Sequence, residues 1–563
     1  MILKRINLLC IIAILCTVNC ICKAQKVSPL NRNLQLTGNF GELRTNHFHT
    51  GLDFRASIGT PVYAVDSGYV SRVSISAGGY GNALYITHPS GETTVYAHLD
   101  SFAPHIAEVV THRQYLLKYY AVDLVFCQDE IKVERGELVA YTGNRGSSGG
   151  PHLHFEIRDT KTENPLEPLT YLKDKIRDTR SPKIKAVLIK QYSGVENNLG
   201  KKIKIDVVSK NGVKIPTKVK AWGEIMLGVK AYDYMDGMNN IYGIHYVKLY
   251  KDDELIYSSH IDTLSFNTGR QINTYIDREE WMKNNSLFMM SYISPGNTLS
   301  FYEDGVIKDR GVVTIDEERT YEFRYQVSDY YGNRDEYTFE IEGDKTCEFS
   351  NTDLTKVSRN QDYEIDTEQF KITIPSESIY NDYIPQYEKA STVGYANYSV
   401  VHTIEPYYAG VDKACNISIK IDCDTIDDKT KYYIASLNSV GKHTGKVSQE
   451  YISVYNNGWL SSLVKTLGQF VVKADLNKPS IKYLGVSNGE VQIKITEKES
   501  GIKYFAGYID GEFVLFTYDI KDKIARYKID KSKIKSGVPH KLKFEVIDNC
   551  GNTSLYTGTI IYH

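Results

Sequence analysis

The segment His152-Leu153-His154-Phe155-Glu156-Ile157 alternates polar and apolar side chains. A period of two suits a half-buried β-strand and excludes an amphipathic helix. In such a strand His152 and His154 share one face while Leu153 and Phe155 turn to the other, so two imidazoles enter one site. Runs of similar character follow along the chain: YVSRVSI (69–75), NALYITH (82–88), IHYVKLYKDDELIYSS (244–259), YEFRYQVSDYYGN (321–333), FKITIPS (370–376), YLGVSNGEVQIKITE (483–497) and HKLKFEVIDNCGN (540–552). The 44 Tyr, beside 18 Phe and 3 Trp, supply amphipathic rings that suit strands with one wet face. The chain is therefore expected to be mainly β. At about 150 residues per domain, its 563 residues hold several separate cores.

Charge and address narrow the function classes. Lys plus Arg (67) nearly balance Asp plus Glu (69), which leaves no basic footprint for nucleic acid. Lys4 and Arg5 precede an apolar run from Leu8 to Val18, and Cys22-Lys23-Ala24 offers a small-residue cleavage site. Residues 1–24 read as a secretory signal whose apolar run is shorter than the roughly 20 residues of a spanning helix. Anchoring as a lipoprotein through Cys20 or Cys22 is the weaker alternative, because Asn19 and Ile21 are poor residues before a lipidated cysteine. No later segment is long and apolar enough for a transmembrane helix, so the mature chain is expected in the periplasm or cell envelope. Five cysteines remain beyond the signal, an odd number that does not make a disulfide framework. Cys415 and Cys423 are separated by the alternating NISIKID, a strand of roughly 26 Å, so they are not expected to bridge.

His47, His49, Asp53, His98, His152 and His154 concentrate metal-ligand chemistry in the first part of the chain. Neutral imidazoles with one carboxylate can hold Zn²⁺ and leave a position open. There is no H-E-x-x-H, which excludes a helical zincin. His49-x-x-x-Asp53, Tyr96-x-His98 and His152-x-His154-Phe155-Glu156 resemble the lysostaphin-type (LytM-like) zinc metalloendopeptidases of peptidoglycan. The glycine-bearing frame agrees in type and order: Gly59-Thr60-Pro61-Val62-Tyr63-Ala64, Gly68-Tyr69-Val70, Gly79-Tyr80-Gly81-Asn82, Gly143-Asn144-Arg145-Gly146 and Gly150-Pro151. The resemblance covers about residues 39–170. It implies an antiparallel β-sheet peptidase domain of the duplicated hybrid motif, one Zn²⁺ held by His49, Asp53 and His154, and His98 and His152 as the catalytic pair. One of that pair would be the general base and the other would orient water or stabilise the oxyanion; the residues leave open which. His47 is a weaker ligand candidate, His88 reads as a turn residue, and the family gives Glu156 no catalytic part.

The compact family pattern is interrupted between His98 and Gly136, where 103–120 has helical apolar spacing at Ile106, Val109, Val110 and Tyr115. This insertion, near 103–130, is expected to form a helical lid or a docking element for a regulatory protein. Farther on, YQVSDYYGNRDEY (325–337) and EVIDNCGNTSLY (545–556) share Val, Asp, Gly and Asn in step. Each has an upstream entry strand marked by proline, at Ser181-Pro182-Lys183-Ile184 and Lys478-Pro479-Ser480-Ile481. The expected organisation is a signal peptide at 1–24, the peptidase domain at 25–176, an immunoglobulin-like β-sandwich at 177–345 with an insertion near 277–285, a β-rich domain at 346–477, and a second such sandwich at 478–563. The expected function is hydrolysis of stem-peptide cross-links in bacterial peptidoglycan. The alternative is a catalytically silent scaffold or activator of another cell-wall hydrolase.

Overall fold

A computed structural model describes residues 26–195, 200–348, 355–394, 396–438 and 445–563. The expected signal at 1–24 lies outside the described residues. Among those described, no helix is long and apolar enough to cross a membrane, and Cys127, Cys347, Cys415, Cys423 and Cys550 are all free thiols.

The fold is mainly β. Its first part is built on a nine-stranded antiparallel sheet whose principal strands are β1 (Leu36–Gly38), β2 (Leu52–Arg55), β3 (Gly68–Ile75), β4 (Asn82–Thr87), β5 (Glu92–Leu99), β6 (Val122–Val125) and β7 (His152–Asp159), in the order β1-β2-β7-β5-β4-β3-β6. Leu153, Phe155 and Ile157 of β7 are buried on one side with Phe54 and Tyr96, and the rings of Tyr96 and Phe155 lie 5.4 Å apart. The opposite side of β7 is also covered but carries His154, Glu156 and Arg158. The strand that positions the site thus has one apolar and one polar buried face, and the polar one must be satisfied internally. A smaller sheet of Pro61–Tyr63, Leu138–Tyr141 and Ser101–Phe102 packs beside it.

Helix α1 (Pro104–Leu117) fills part of the inserted segment, with Pro at its first turn and the left-handed Lys118 ending it. Ile106, Val110 and Gln114, spaced four apart, form its buried stripe. Tyr115 leaves that stripe and meets the ring of Phe513 at 5.7 Å. Just beyond the helix, Tyr119 stacks on Tyr504 at 5.6 Å, Tyr120 packs on Phe505 at 5.8 Å, and the Tyr120 hydroxyl donates to Tyr518 O at 3.2 Å. The aromatic side of the insertion is covered by the chain's own last domain.

The rest of the chain is a series of paired sheets. Residues 183–343 form two five-stranded sheets, with short helices Ile272–Tyr275 and Arg278–Asn284 between their strands. Asp277 caps the second helix by accepting from Glu280 N–H at 2.8 Å. Residues 363–474 form two more five-stranded sheets around a core of their own. Residues 480–560 form two four-stranded sheets whose strands bury alternate residues into a shared core. The run 483–497, read above as one strand, is a hairpin of Ser480–Ser487 and Glu490–Thr496. Asn488 and Gly489 turn it with φ of 53° and 73°, the left-handed pair that a two-residue hairpin demands.

Tyr115, Tyr119 and Tyr120 join the inserted segment to the last domain. Replacing Tyr119 and Tyr120 together with Ala removes a buried aromatic worth about 3 kcal/mol or more. The double variant should show the last domain melting as a separate, earlier calorimetric transition.

Candidate active site

Strand β7 lies between β2 and β5, and its register places the chemistry. His154 is directly opposite Asp53 on β2 and opposite Ala97 on β5. Cross-strand neighbours share a face, so the Asp53 carboxylate and the His154 imidazole emerge side by side. His49 joins them from the turn before β2. Its Nδ1 donates to Asn39 O at 2.7 Å, which turns Nε2 inward, 3.1 Å from Asp53 Oδ1 and 3.0 Å from His154 Nδ1. His154 Nδ1 is 2.9 Å from Asp53 Oδ1. The three atoms form a triangle, and all three residues are buried. Tetrahedral zinc, with bonds of about 2.0–2.2 Å, separates its ligands by about 3.3–3.5 Å. The donor set and spacing fit such an ion after a slight outward relaxation.

His152 and His98 flank the triangle, their rings 4.7 Å apart. His152 Nδ1 donates to Gly150 O at 2.8 Å, and its Nε2 is 3.4 Å from Asp53 Oδ1. For His98 simple alternation would be misleading. Tyr96 is seated in the core, and a regular strand would send His98 to the same side. Instead the β4–β5 pairing slips between Asn82 and Leu84, and His98 adopts a left-handed φ of 59°. This bulge re-aims the imidazole onto the face of His154. Such backbone costs about 1–3 kcal/mol and persists only where its surroundings impose it. Here His98 N–H donates to Tyr80 O at 2.9 Å and its Nδ1 to Arg145 O at 2.8 Å. Gly143 crosses so close that a Cβ there would lie 2.4 Å from Asp100 N and 2.7 Å from His98 O.

Electrostatics follow the packing. Burial would raise Asp53, but the imidazoles of His49, His152 and His154 outweigh it and hold the carboxyl well below its usual range. Burial would lower His154, but Asp53 and Glu156 overcome this and raise it to about 9. Burial, with His154 and His152 beside it, pushes His98 down to about 3.

Beneath the triangle lies a network around Glu156, which strand alternation places on the site face without a role. Glu156, fully buried, accepts from His154 Nε2 at 2.8 Å, from the hydroxyls of Thr50 and Tyr80 at 2.6 Å each, and from Arg158 Nε at 2.6 Å. A carboxylate on the far nitrogen fixes the ring and tautomer of a ligating histidine. The signal was present in the alternation, which runs on through His152, His154, Glu156 and Arg158. His47 stays apart, its Nδ1 on Thr45 O at 2.9 Å. His88 opens a turn closed by Gly91 N–H on its carbonyl at 3.1 Å, and its imidazole is buried between Ser67 O and Thr94 Oγ1, at 2.9 and 2.8 Å.

Two of the three carbonyls that orient site imidazoles, those of Asn39 and Arg145, belong to segments held from elsewhere in the chain. The Asn39 side chain exchanges two hydrogen bonds with Gly243, at 3.0 and 2.9 Å. Arg145 pairs with Asp519 at 3.6 Å, and Lys521 Nζ donates to Asn144 O.

Comparison with known proteins matches the same stretch of the chain. The model of peptidase family M23 matches residues 47–116 and 105–168. Residues 47–168 are a lysostaphin-like M23 domain. A DD-carboxypeptidase/endopeptidase Mpg of Neisseria meningitidis is 37% identical over 116 residues, 21% of each chain. A peptidoglycan DD-endopeptidase ShyB of Vibrio cholerae is 34% identical over 110 residues, 19% of this chain and 20% of its own. The chain thus spans about a fifth of these curated relatives. The catalytic domain of lysostaphin from Staphylococcus simulans aligns at 25% identity with a TM-score of 0.20, covering 25% of this chain and 93% of that one. Outside the M23 domain, a Zu5-like domain model matches residues 355–475.

Glu156→Ala would take the buried carboxylate away from Arg158 Nε and His154 Nε2, leaving Arg158 only Glu163 at 3.2 Å and the Tyr80 hydroxyl at 3.3 Å. Breaking a buried pair from one side costs about 3–5 kcal/mol, so urea unfolding of this variant should show a loss of that size.

Proposed function

We propose that the chain is a secreted zinc metalloendopeptidase that cuts peptide cross-links of bacterial peptidoglycan during cell-wall remodelling in the periplasm or envelope. The observation that carries this reading is the triangle of His49 Nε2, Asp53 Oδ1 and His154 Nδ1 with two further imidazoles beside it. His49, Asp53 and His154 would hold one Zn²⁺. When bound, that ion supplies a Lewis acid for the scissile carbonyl and a water acidified to a pKa of about 7.

The remaining roles belong to the chain's own groups. A backbone carbonyl can only accept, so the Nδ1 atoms on Gly150 O and Arg145 O carry the hydrogens, which leaves Nε2 of His152 and of His98 as the acceptor nitrogen. His152, nearer the triangle through Asp53, takes the proton of the attacking water as general base and passes it to the leaving amine. His98, kept neutral by burial, accepts a hydrogen bond that orients the water. Glu156 holds His154 in the tautomer that leaves Nδ1 free for the metal. A D-alanyl bond to the neighbouring stem is the favoured substrate, supported by the DD-endopeptidase activities named for the relatives.

The test is release of soluble muropeptides from cross-linked peptidoglycan by the purified protein. His152→Ala should lower the rate about 10²–10⁴-fold, and chelation should abolish release until zinc is restored. New D-alanyl termini by mass spectrometry would establish the bond. Absence of release from folded, zinc-loaded protein would instead favour a scaffold or hydrolase activator. Glu156→Gln should weaken zinc binding about 10–100-fold, read by competition with a chromophoric chelator.

A further inference from the structure

The Asp-x-x-Gly-Asn turn that occurs twice in the sequence has no part in the peptidase chemistry, yet both copies build the same arrangement. In the first, Asn333 N–H donates to Asp329 Oδ1 at 2.9 Å, while its side-chain amide donates to Asp329 Oδ2 at 2.7 Å and to Asp178 O at 3.3 Å. In the second, Asn552 does the same for Asp548 Oδ1 and Oδ2, at 2.8 Å each, and for Asp475 O at 3.0 Å. Asp178 and Asp475 each stand four residues before the entry-strand proline, Pro182 and Pro479. A third acid follows the next long strand in each case: Asp233 after Gly223–Tyr232 and Glu497 after Glu490–Thr496. Each trio offers ligand oxygens within 4.8 Å of one another.

The two copies differ in how those oxygens are used. In the second, Asp475 Oδ2 accepts from the Ser500 N–H and hydroxyl at 3.1 and 2.5 Å, Asp475 Oδ1 accepts from Asn477 N–H at 3.0 Å, and Glu497 Oε1 accepts from two backbone N–H groups at 2.7 Å. In the first, Asp178 Oδ1 accepts from Arg180 N–H at 3.0 Å and Asp233 from Tyr234 N–H. Asp178 Oδ2 and Asp233 Oδ1 are buried with no hydrogen-bond partner. Asp178, Asp233 and Asp329 are only 7%, 3% and 3% exposed. Arg180 spends Nη1 on the carbonyls of Met235 and Met238, at 3.0 Å each. Clustered buried carboxylates with orphaned oxygens are costly unless a cation joins them. Burial, helped by the neighbouring acids, already pushes Asp178 up to about 6 and Asp233 up to about 8.

We propose that Asp178, Asp233 and Asp329 form a divalent-cation site, built for calcium. All available donors are oxygens, which favours a hard ion over zinc. Calcium–oxygen bonds of about 2.3–2.6 Å put opposite ligands about 4.6–5.2 Å apart, a span that accommodates this trio. The site lies where the M23 domain hands over to the following sheets. Tyr331, inside the turn, donates to Ile176 O at 3.1 Å, and Asp178 is two residues farther along. A bound ion would pin the connecting segment to the end of the second domain.

The test uses the full chain, stripped of metal and reloaded with zinc alone, then dialysed against radiolabelled Ca²⁺ up to about 1 mM, the weak end of protein calcium sites. One ion per chain and a higher melting temperature are expected. Asp233→Asn should abolish that binding and its thermal gain. Asp178→Asn should lose the ion likewise, which guards against a folding defect in one variant, and Asp548→Asn should retain it. Two ions per chain falling to one in Asp233→Asn would also sustain the proposal. No retained calcium, or calcium retained unchanged by both Asp233→Asn and Asp178→Asn, would overturn it.

Discussion

The pairing of Asp53 with His154 across β2 and β7 is the constraint on which the site rests. Side chains alternate along a strand, so a slip of one residue would send the carboxylate or the imidazole into the apolar core. The core prevents that slip: Phe54 and Phe155, the next residue on each strand, are packed on the opposite face with their rings 6.2 Å apart. The hydrophobic half of the sheet thereby fixes the polar half. Once the pair is set, His49 needs only the Asn39 carbonyl to complete the triangle, and Glu156 needs only the next step of alternation to reach His154 from behind.

How much of this was legible depended on whether the signal was local. Alternation in 152–157 was sufficient to place His152 and His154 on one face, and a turn before β2 brings in the His49-x-x-x-Asp53 pair. Alternation failed at His98, whose position depends on a bulge and a left-handed φ that arise from tertiary contacts with Tyr80, Gly143 and Arg145. The Asn488-Gly489 turn was readable from its residue types and was passed over inside a longer apolar pattern. Contacts from Gly243 to Asn39 and from Lys521 to Asn144 bridge hundreds of residues. Nothing in the local pattern of either segment announces them.

The repeated Asp-x-x-Gly-Asn turn illustrates how one frame can serve two ends. In both copies an asparagine side chain ties the turn to the segment entering the domain. In the last domain, Ser500 and Asn477 donate to the acids so gathered. In the second domain the corresponding trio keeps two buried oxygens unmatched, although the turn, the linker and the strand before the third acid are arranged alike. The difference lies in which neighbours the rest of each domain supplies.

The hold of Lys521 and Asp519 on the loop that orients His98 also bears on when the protein acquires its finished form. Residue 521 is made more than three hundred residues after the M23 domain, and domains fold largely as they emerge. The sheet carrying Asp53 and His154 can therefore form early in synthesis, while the buttress behind Arg145 awaits the final domain. A chain truncated before that point would keep the triangle of His49, Asp53 and His154 but lack the contacts that Lys521 and Asp519 make behind the His98 loop.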